Sequence, residues 1–412
     1  MTAVLAGTRP TILFCAEAVT LAHVARPLAL GAGLDATRFD RVFACDERFR
    51  RFFPTGDWRC RTICSISSAQ FLHALARGRP VYSLQDLRGY VDADVALLKD
   101  LQPALVVGDF RLSLSVSARL CGVPYVAISN AYWSPYATPR YTIPSHPLIG
   151  AVGLRLANAL FRAFRPAAFA LHSLPLNRLR KEFGLPTLGW SLQRAYTDAD
   201  VTLYADAAEV VPLVDAPPNH QHIGPLSWSP EVPMPPELES AAAALPIVYV
   251  TLGSSGSAEL LPTVLGALAS LPCQVYASTA GAPIACAVPA NSACYDYLPG
   301  QAMANRSSLV ICNGGSPTTQ QALLAGVPVV GIVDNLDQYL NMGYLERCGV
   351  GTSVRRDSIS IAAVKDAAAT VLYKPSFRLA ALHIACAFQR YDAQAAFAHV
   401  VNQLVERKIG FS

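Results

Sequence analysis

The stretch from Val310 to Val330 does most to limit the folds open to this chain. An apolar run, Val310-Ile-Cys312, breaks into Asn313-Gly314-Gly315. Ser316 then reads as an N-cap and Pro317 as the first helical residue, with Gly326 as the stop and Pro328 beyond it. A second apolar run, Val327 to Val333, ends just before the polar Asp334-Asn335-Leu336-Asp337-Gln338. Strand, glycine turn, helix and strand in that order require a parallel pairing. The turn leaves backbone N–H groups and the positive end of a helix dipole free, which suits a diphosphate, and Thr318 adds a hydroxyl. Both polar clusters fall at carboxyl ends of strands, where open α/β sheets bind ligands.

The same alternation runs through the whole chain. Thr11–Cys15, Arg41–Cys45, Ala104–Val107, Tyr125–Ile128 and Val201–Tyr204 read as strands separated by helical patterns. The proline-dense stretch from Gly224 to Pro236 interrupts the series and reads as a linker. A second series follows at Ile247–Leu252, Gln274–Ala277, Tyr295–Leu298, Leu309–Cys312 and Val329–Val333. The expected organisation is a first domain over 1–223, a linker over 224–240, a second domain over 241–389 and a closing helix within 390–412.

Composition narrows the function. The chain has 412 residues, 52% of them hydrophobic and 15% charged, enough for two sizeable cores. Its 33 basic and 29 acidic residues are too evenly balanced for a nucleic-acid partner. Eleven scattered cysteines, with no signal peptide ahead of them, read as reduced thiols in the cytoplasm. No apolar run reaches the ~20 residues of a membrane span. Nothing in the sequence specifies an oligomer.

The order Asn313-x-Gly315-x-x-Thr318-x-x-Gln321, then Gly326-Val-Pro328, then Asp337-Gln338-x-x-Asn341, resembles the donor-site signature of the UDP-glycosyltransferase family. It is most similar to the bacterial macrolide and natural-product branch of these family 1, GT-B enzymes. The family pattern is His-x-Gly-x-x-Ser/Thr-x-x-Glu, Gly-x-Pro and Asp-Gln. Here Asn313 stands in place of the phosphate-contacting His and Gln321 in place of the ribose-binding Glu; both can still hydrogen-bond those groups. The resemblance implies two doubly wound Rossmann-like α/β domains facing a cleft. It also implies a last helix, within Arg390–Ile409, crossing back to the first domain.

Residue by residue, the resemblance carries further. Gly253, Ser254 and Ser255 match the first donor loop, where glycine permits close approach and hydroxyls meet phosphate. Tyr297 and Leu298 match the nucleobase position, although a plain core tyrosine fits Tyr297 almost as well. Asn313, Gly314, Gly315, Ser316 and Thr318 would hold the diphosphate, Gln321 the ribose, and Asp337 with Gln338 the sugar hydroxyls. His23, in Ala22-His-Val24, matches the general base of a Gly-His-Val-x-Pro motif, with proline one place late at Pro27. Asp109 matches the aspartate that orients it.

The aromatic and basic region from Tyr132 to Phe183 lies where the family binds its acceptor, and suits a lipid, polyketide or phenol. Its segment Leu148–Phe164 reads as an ordinary helix with snorkelling arginines, ahead of weak contact with an anionic membrane. Asp92-x-Asp94 and Asp198-x-Asp200 read as solvated carboxylates, and His220-x-His222 as a surface loop, so no metal is expected. The sequence therefore reads as an inverting glycosyltransferase using a UDP- or TDP-sugar and no cofactor. The rivals are a catalytically inactive nucleotide-binding or activator homologue, motivated by Asn313, and a GT-B nucleotide-sugar epimerase.

Overall fold

The computed structural model describes residues 9–229, 232–239, 245–252, 258–284 and 286–410. The first sheet holds β1 (Thr11–Ala16), β2 (Asp40–Cys45), β3 (Arg59–Thr62), β4 (Leu105–Asp109), β5 (Tyr125–Ser129), β6 (Val201–Tyr204) and β7 (His220–His222). The second holds β8 (Ile247–Thr251), β9 (Gln274–Ser278), β10 (Ser292–Tyr295), β11 (Leu309–Cys312), β12 (Val329–Val333) and β13 (Gly351–Arg355). The spatial orders are β3-β2-β1-β4-β5-β6-β7 and β10-β9-β8-β11-β12-β13. Every pairing between these strands is parallel. This is the paired Rossmann-like architecture of a GT-B fold.

Each order reverses once, between β1 and β4 in the first sheet and between β8 and β11 in the second. A crevice opens at such a switch point because the flanking connections leave on opposite faces. His23 follows β1 and Asp109 ends β4, while Asn313 follows β11. The chemistry-bearing residues therefore gather at both crevices.

Central strands are apolar up to their carboxyl ends because helices cover both faces of a parallel sheet. All five residues of β4 are buried, as are all five of β12. The last helix, Ala393–Gly410, returns to the first sheet, where Phe397 and Val401 are fully buried in the cluster of Phe14, Val24 and Leu30. Burying a side chain such as Phe397 contributes about 1.5–3 kcal/mol, which fastens this crossover. A further apolar cluster joins Tyr132 and Tyr204 to Cys312, Tyr339 and Leu340 and closes the floor between the two units.

Several local expectations give way. The strand expected at Tyr295–Leu298 lies at Ser292–Tyr295, and β3, β7 and β13 were not foreseen. His220 and His222 are in β7 rather than a loop; His220 meets the Tyr204 hydroxyl at 2.7 Å, and His222 Nε2 meets Val211 O at 2.8 Å. Asp94 is not solvated: it accepts from Arg111 Nη2 at 2.9 Å and from Ser113, fully enclosed beside Glu17. Asp198 is half-buried on Arg180 Nη1 at 2.6 Å, whereas Asp92 and Asp200 are exposed as expected, Asp200 also accepting from the Tyr125 N–H at 2.8 Å.

Candidate active site

Thr20, in extended conformation, opens the helix Leu21–Ala32 directly after the first strand's turn. His23 and Arg26 are three residues apart and so share one helix face. That face meets the end of β4, where Asp109 is fully buried. His23 Nδ1 lies 2.7 Å from Asp109 Oδ1. Arg26 grips the same carboxylate twice, Nε to Oδ2 at 2.7 Å and Nη2 to Oδ1 at 2.8 Å. Facing a carboxylate, Nδ1 is assigned the ring proton, which leaves Nε2 as a free base. Arg26 Nη2 is also 3.0 Å from Nδ1. Both are donors in that tautomer, so this contact is a close charge rather than a hydrogen bond. Burial opposes the Arg26 charge, but Asp109 outweighs it and holds the guanidinium above its usual range.

Phe110 fixes the other face of the imidazole. Its ring stacks on His23 with centroids 4.9 Å apart and planes 14° from parallel. To reach that position Phe110 takes φ +58°, a left-handed conformation that is strained for any side chain with a Cβ. Tyr196 packs edge-on against Phe110 at 5.1 Å, and Trp133 against Tyr196 at 5.1 Å. Tyr82 lies 6.1 Å from Phe110. Behind them a recess is lined by Tyr82, Leu112, His172, Leu176 and Tyr196. His23 therefore stands at the edge of an aromatic wall.

On the opposite side, Gly315 rather than Ser316 is the N-cap of the helix Ser316–Leu324, so the helix begins one residue earlier than its sequence suggests. Gly314 has φ +77°, and a Cβ there would come within 2.9 Å of Met342 and Val333. Only glycine fits. Asn313 Oδ1 accepts from the Gly315 N–H at 3.1 Å, an Asx turn that leaves its NH₂ as the donor end. Asn341 Nδ2 braces the turn by donating to Gly314 O at 2.8 Å and Thr319 Oγ1 at 3.0 Å. Thr318 is half-buried. Gly253, Ser254 and Ser255 lie outside the described residues.

The other expected donor residues are already engaged. Gln321 is buried and donates Nε2 to Trp228 O at 3.0 Å, so its amide faces the linker. Asp337 accepts from Trp133 Nε1 at 2.8 Å and from the Tyr132 hydroxyl at 3.3 Å, across the cleft. Gln338 Oε1 accepts from the N–H groups of Asp334 and Asn335, closing a capping box. Tyr297 is 46% exposed, with its hydroxyl on Ala280 O at 3.2 Å, so it is no core tyrosine; Leu298 beside it is buried.

Sequence reading missed the residues that join the two sides. Arg26 Nη1 donates to Asn130 Oδ1 at 2.6 Å, and the Ser316 hydroxyl reaches the same oxygen at 3.4 Å. Asn130 Nδ2 in turn donates to Asp206 Oδ2 at 3.1 Å, while Gln320 Nε2 reaches Asp206 Oδ1 at 3.2 Å. Burial pushes the Asp206 carboxyl up, and the Ala131 N–H, the Asn130 amide and the Arg26 charge pull it back in part. The His-x-x-Arg spacing at His23 could have revealed Arg26. Nothing local marks Asn130 or Asp206, whose partners are 76 and 186 residues away in sequence.

Comparison with known proteins agrees with this fold. Residues 263–406 match the model of the erythromycin biosynthesis protein CIII-like C-terminal domain. The chain is 49% identical over 400 residues to a PGL/p-HBAD biosynthesis rhamnosyltransferase of Mycobacterium bovis (strain BCG / Pasteur 1173P2), covering 97% of this chain and 89% of that one. It is 48% identical over 260 residues to an inactive PGL/p-HBAD biosynthesis glycosyltransferase of the same strain, covering 63% of this chain and 71% of that one. The structure of the Streptomyces sp. SF2575 glycosyltransferase SsfS6, complexed with thymidine diphosphate, superposes with a TM-score of 0.67 at 16% identity, over 96% of this chain and 100% of that one. With half its residues shared across almost its whole length with the mycobacterial rhamnosyltransferase, and a GT-B architecture, the chain belongs to the family 1 glycosyltransferases and is itself a glycosyltransferase.

Proposed function

We propose that the chain is an inverting, metal-independent transferase that moves a sugar from a UDP- or TDP-sugar to a hydroxyl on a hydrophobic, aromatic acceptor. One observation carries the reading: the His23–Asp109 pair borders an aromatic wall and connects through Arg26 and Asn130 to the start of the Ser316 helix. A base that touches the acceptor and a helix terminus suited to diphosphate thus share one site. In the reaction, His23 Nε2 takes the acceptor's hydroxyl proton as its oxygen bonds to the anomeric carbon. The bond from that carbon to the diphosphate breaks, and its electrons leave with the nucleoside diphosphate. Asp109 holds the ring and stabilises the imidazolium. Charge on the leaving group meets the N–H groups of Gly315–Thr318 and the Asn313 amide, so these groups do the work a cation would otherwise do.

Rhamnose is the first sugar to test, because the mycobacterial relative is named for it. Thymidine diphosphate is the first carrier, because SsfS6 holds it. Among the described residues no helix is long and apolar enough to cross a membrane. Eleven free thiols favour the cytoplasm.

A second reading, a catalytically inactive nucleotide-binding homologue, draws on the inactive relative and on Asn313 and Gln321. Incubating the protein with TDP-rhamnose and 4-nitrophenol, and following both TDP release and the mass of the glycoside, separates these readings. Glycoside with inverted anomeric configuration supports the proposal. TDP binding without turnover across a panel of sugar nucleotides and phenols supports the inactive reading. An isomerised TDP-sugar with no TDP released would point to the epimerase, whereas TDP with free sugar alone is hydrolysis and would exclude it.

A further inference from the structure

The long helix Leu148–Glu182 carries an apolar face that none of the described residues covers. It is interrupted at Gly153, which has φ +78°, and beyond that one side packs on the body through Ala157 and Phe169 while the other is exposed. Leu156, Leu160 and Phe164 recur every four residues and so share a face. Leu156 is 52% exposed, Phe164 67%, and Leu171 on the following turns 51%. A face of this kind costs solubility unless something binds it.

Charge indicates what binds it. From Leu148 to Lys181 the sequence has six basic residues and no acidic one; Arg180 is buried on Asp198 and Arg165 lies over Tyr141, so the charge free beside the apolar face is that of Arg155 and Arg162. Arg155 and Arg162, seven residues apart, run along one flank of the apolar face and are both exposed. Arg162 donates to Tyr141 O at 3.2 Å, which sets the root of its side chain while its charge stays at the surface. Exposed leucine and phenylalanine flanked by arginine is the pattern of a helix lying in a lipid interface. A protein partner would fit the apolar stripe, but not an acid-free run of this length as directly as a uniformly anionic surface does.

The placement adds a second reason. Later turns of the same helix supply His172, Pro175 and Leu176 to the recess that also holds Tyr82 and Tyr196. Phe110 then connects that recess to His23. The helix therefore reaches from an exposed apolar face to the wall beside the base. We infer that the Leu154–Leu171 face docks the enzyme on an anionic lipid surface, so that a hydrophobic acceptor passes along this helix toward His23. Only the route of the acceptor rests on the function proposed above. The docking itself needs no sugar donor and no turnover.

The test is co-sedimentation of the full chain with vesicles of phosphatidylcholine alone, or of equal parts phosphatidylcholine and phosphatidylglycerol. The protein should sediment with the anionic vesicles and not the neutral ones, and added salt should release it. Arg155→Glu and Arg162→Glu should each weaken the partition about fivefold or more, since each basic residue near such a surface is worth about that factor. The pair Leu156→Asp with Phe164→Asp should abolish it. A thermal melt with TDP checks that each variant remains folded and binds nucleotide. Equal binding to neutral vesicles, no binding by the wild type, or wild-type binding by the double aspartate variant would each overturn the inference. So would a wild-type dimer that the double aspartate variant turns into a monomer, because a second copy would then cover this face. Loss of turnover with retained vesicle binding would count against the enzymatic reading and leave the docking intact.

Discussion

Arg26 and Asp109 form a two-pronged buried pair, and His23 shares the carboxylate with it. The pairing gives Asp109 a structural role beside the proposed one of orienting His23. Removing one member of a buried ion pair leaves the other charge uncompensated, which costs about 3–5 kcal/mol. Asp109→Asn is therefore expected to lower stability by about that amount, in addition to slowing transfer. The double variant Arg26→Met with Asp109→Leu should recover most of the stability while remaining inactive. Denaturant unfolding of Arg26→Met, Asp109→Leu and the double measures the coupling; additive losses would contradict the pairing.

His23→Ala should separate chemistry from binding. The imidazole is 17% exposed and holds its carboxylate from the rim of the site, so its loss leaves the Arg26–Asp109 pair in place. Transfer should fall by about 10²–10⁴, the usual worth of positioned proton transfer. TDP affinity by calorimetry should be unchanged. A rate within tenfold of wild type would remove His23 from the role of base.

Phe110→Leu asks what the stacked ring contributes. Leucine faces the same left-handed strain as phenylalanine at φ +58°, so backbone cost cancels between the two. What is lost is the ring on His23 and its edge contact with Tyr196, together worth about 0.5–1.5 kcal/mol per aromatic pair. The expected outcome is a drop of about three- to tenfold in kcat/KM for a phenol acceptor, with TDP binding intact. An equal loss of TDP affinity would mean that Phe110 supports the whole site and not the base.

Asn313 can be tested more sharply than by deletion, because its two ends do different work. Asn313→Asp keeps an oxygen for the Gly315 N–H at 3.1 Å but removes the NH₂ donor and brings a negative charge to the turn. Melting temperature should hold while TDP affinity falls by more than the about 1.5–3 kcal/mol of one hydrogen bond to a charged group. Asn313→His restores the residue common in the family and should be tolerated or improve turnover. Unchanged TDP affinity in Asn313→Asp would place the diphosphate elsewhere.

The parts of this fold that could be read in advance are those where apolar runs meet glycine turns. β1, β11 and β12 were legible because central parallel strands must be apolar on both faces. β3, Arg-Cys-Arg-Thr, lies at the sheet edge with three exposed residues, and β7 is only His-Gln-His, so neither carries a burial signal. Asp109 and Asn313 were visible as polar residues ending apolar runs, and His23 through its partial match to the family's Gly-His-Val motif. Arg26 was hidden inside an apolar helix pattern, and the burial of Asp94 depends on Arg111 across the fold. Residues committed to distant partners have no local signature, and the bonds of Asp337 to Trp133 and Tyr132 could be found only with the two units together.

Those bonds frame the last prediction. Asp337 accepts from Trp133 Nε1 and the Tyr132 hydroxyl, yet a carboxylate has about four lone-pair directions and can still accept from a sugar. If it reads sugar hydroxyls, Asp337→Asn should weaken TDP-rhamnose binding by the about 1.5–3 kcal/mol of a hydrogen bond to a charged group, and leave TDP binding alone. Trp133→Phe removes one donor from the same carboxylate while keeping an apolar ring against Tyr196. It should preserve or enlarge the difference between TDP-rhamnose and TDP, because the freed oxygen becomes available to the sugar. Calorimetry with both ligands on both variants decides the matter. Equal losses for TDP and TDP-rhamnose in Asp337→Asn would show that this aspartate serves to fasten Trp133 across the cleft, and that the sugar is read by other groups.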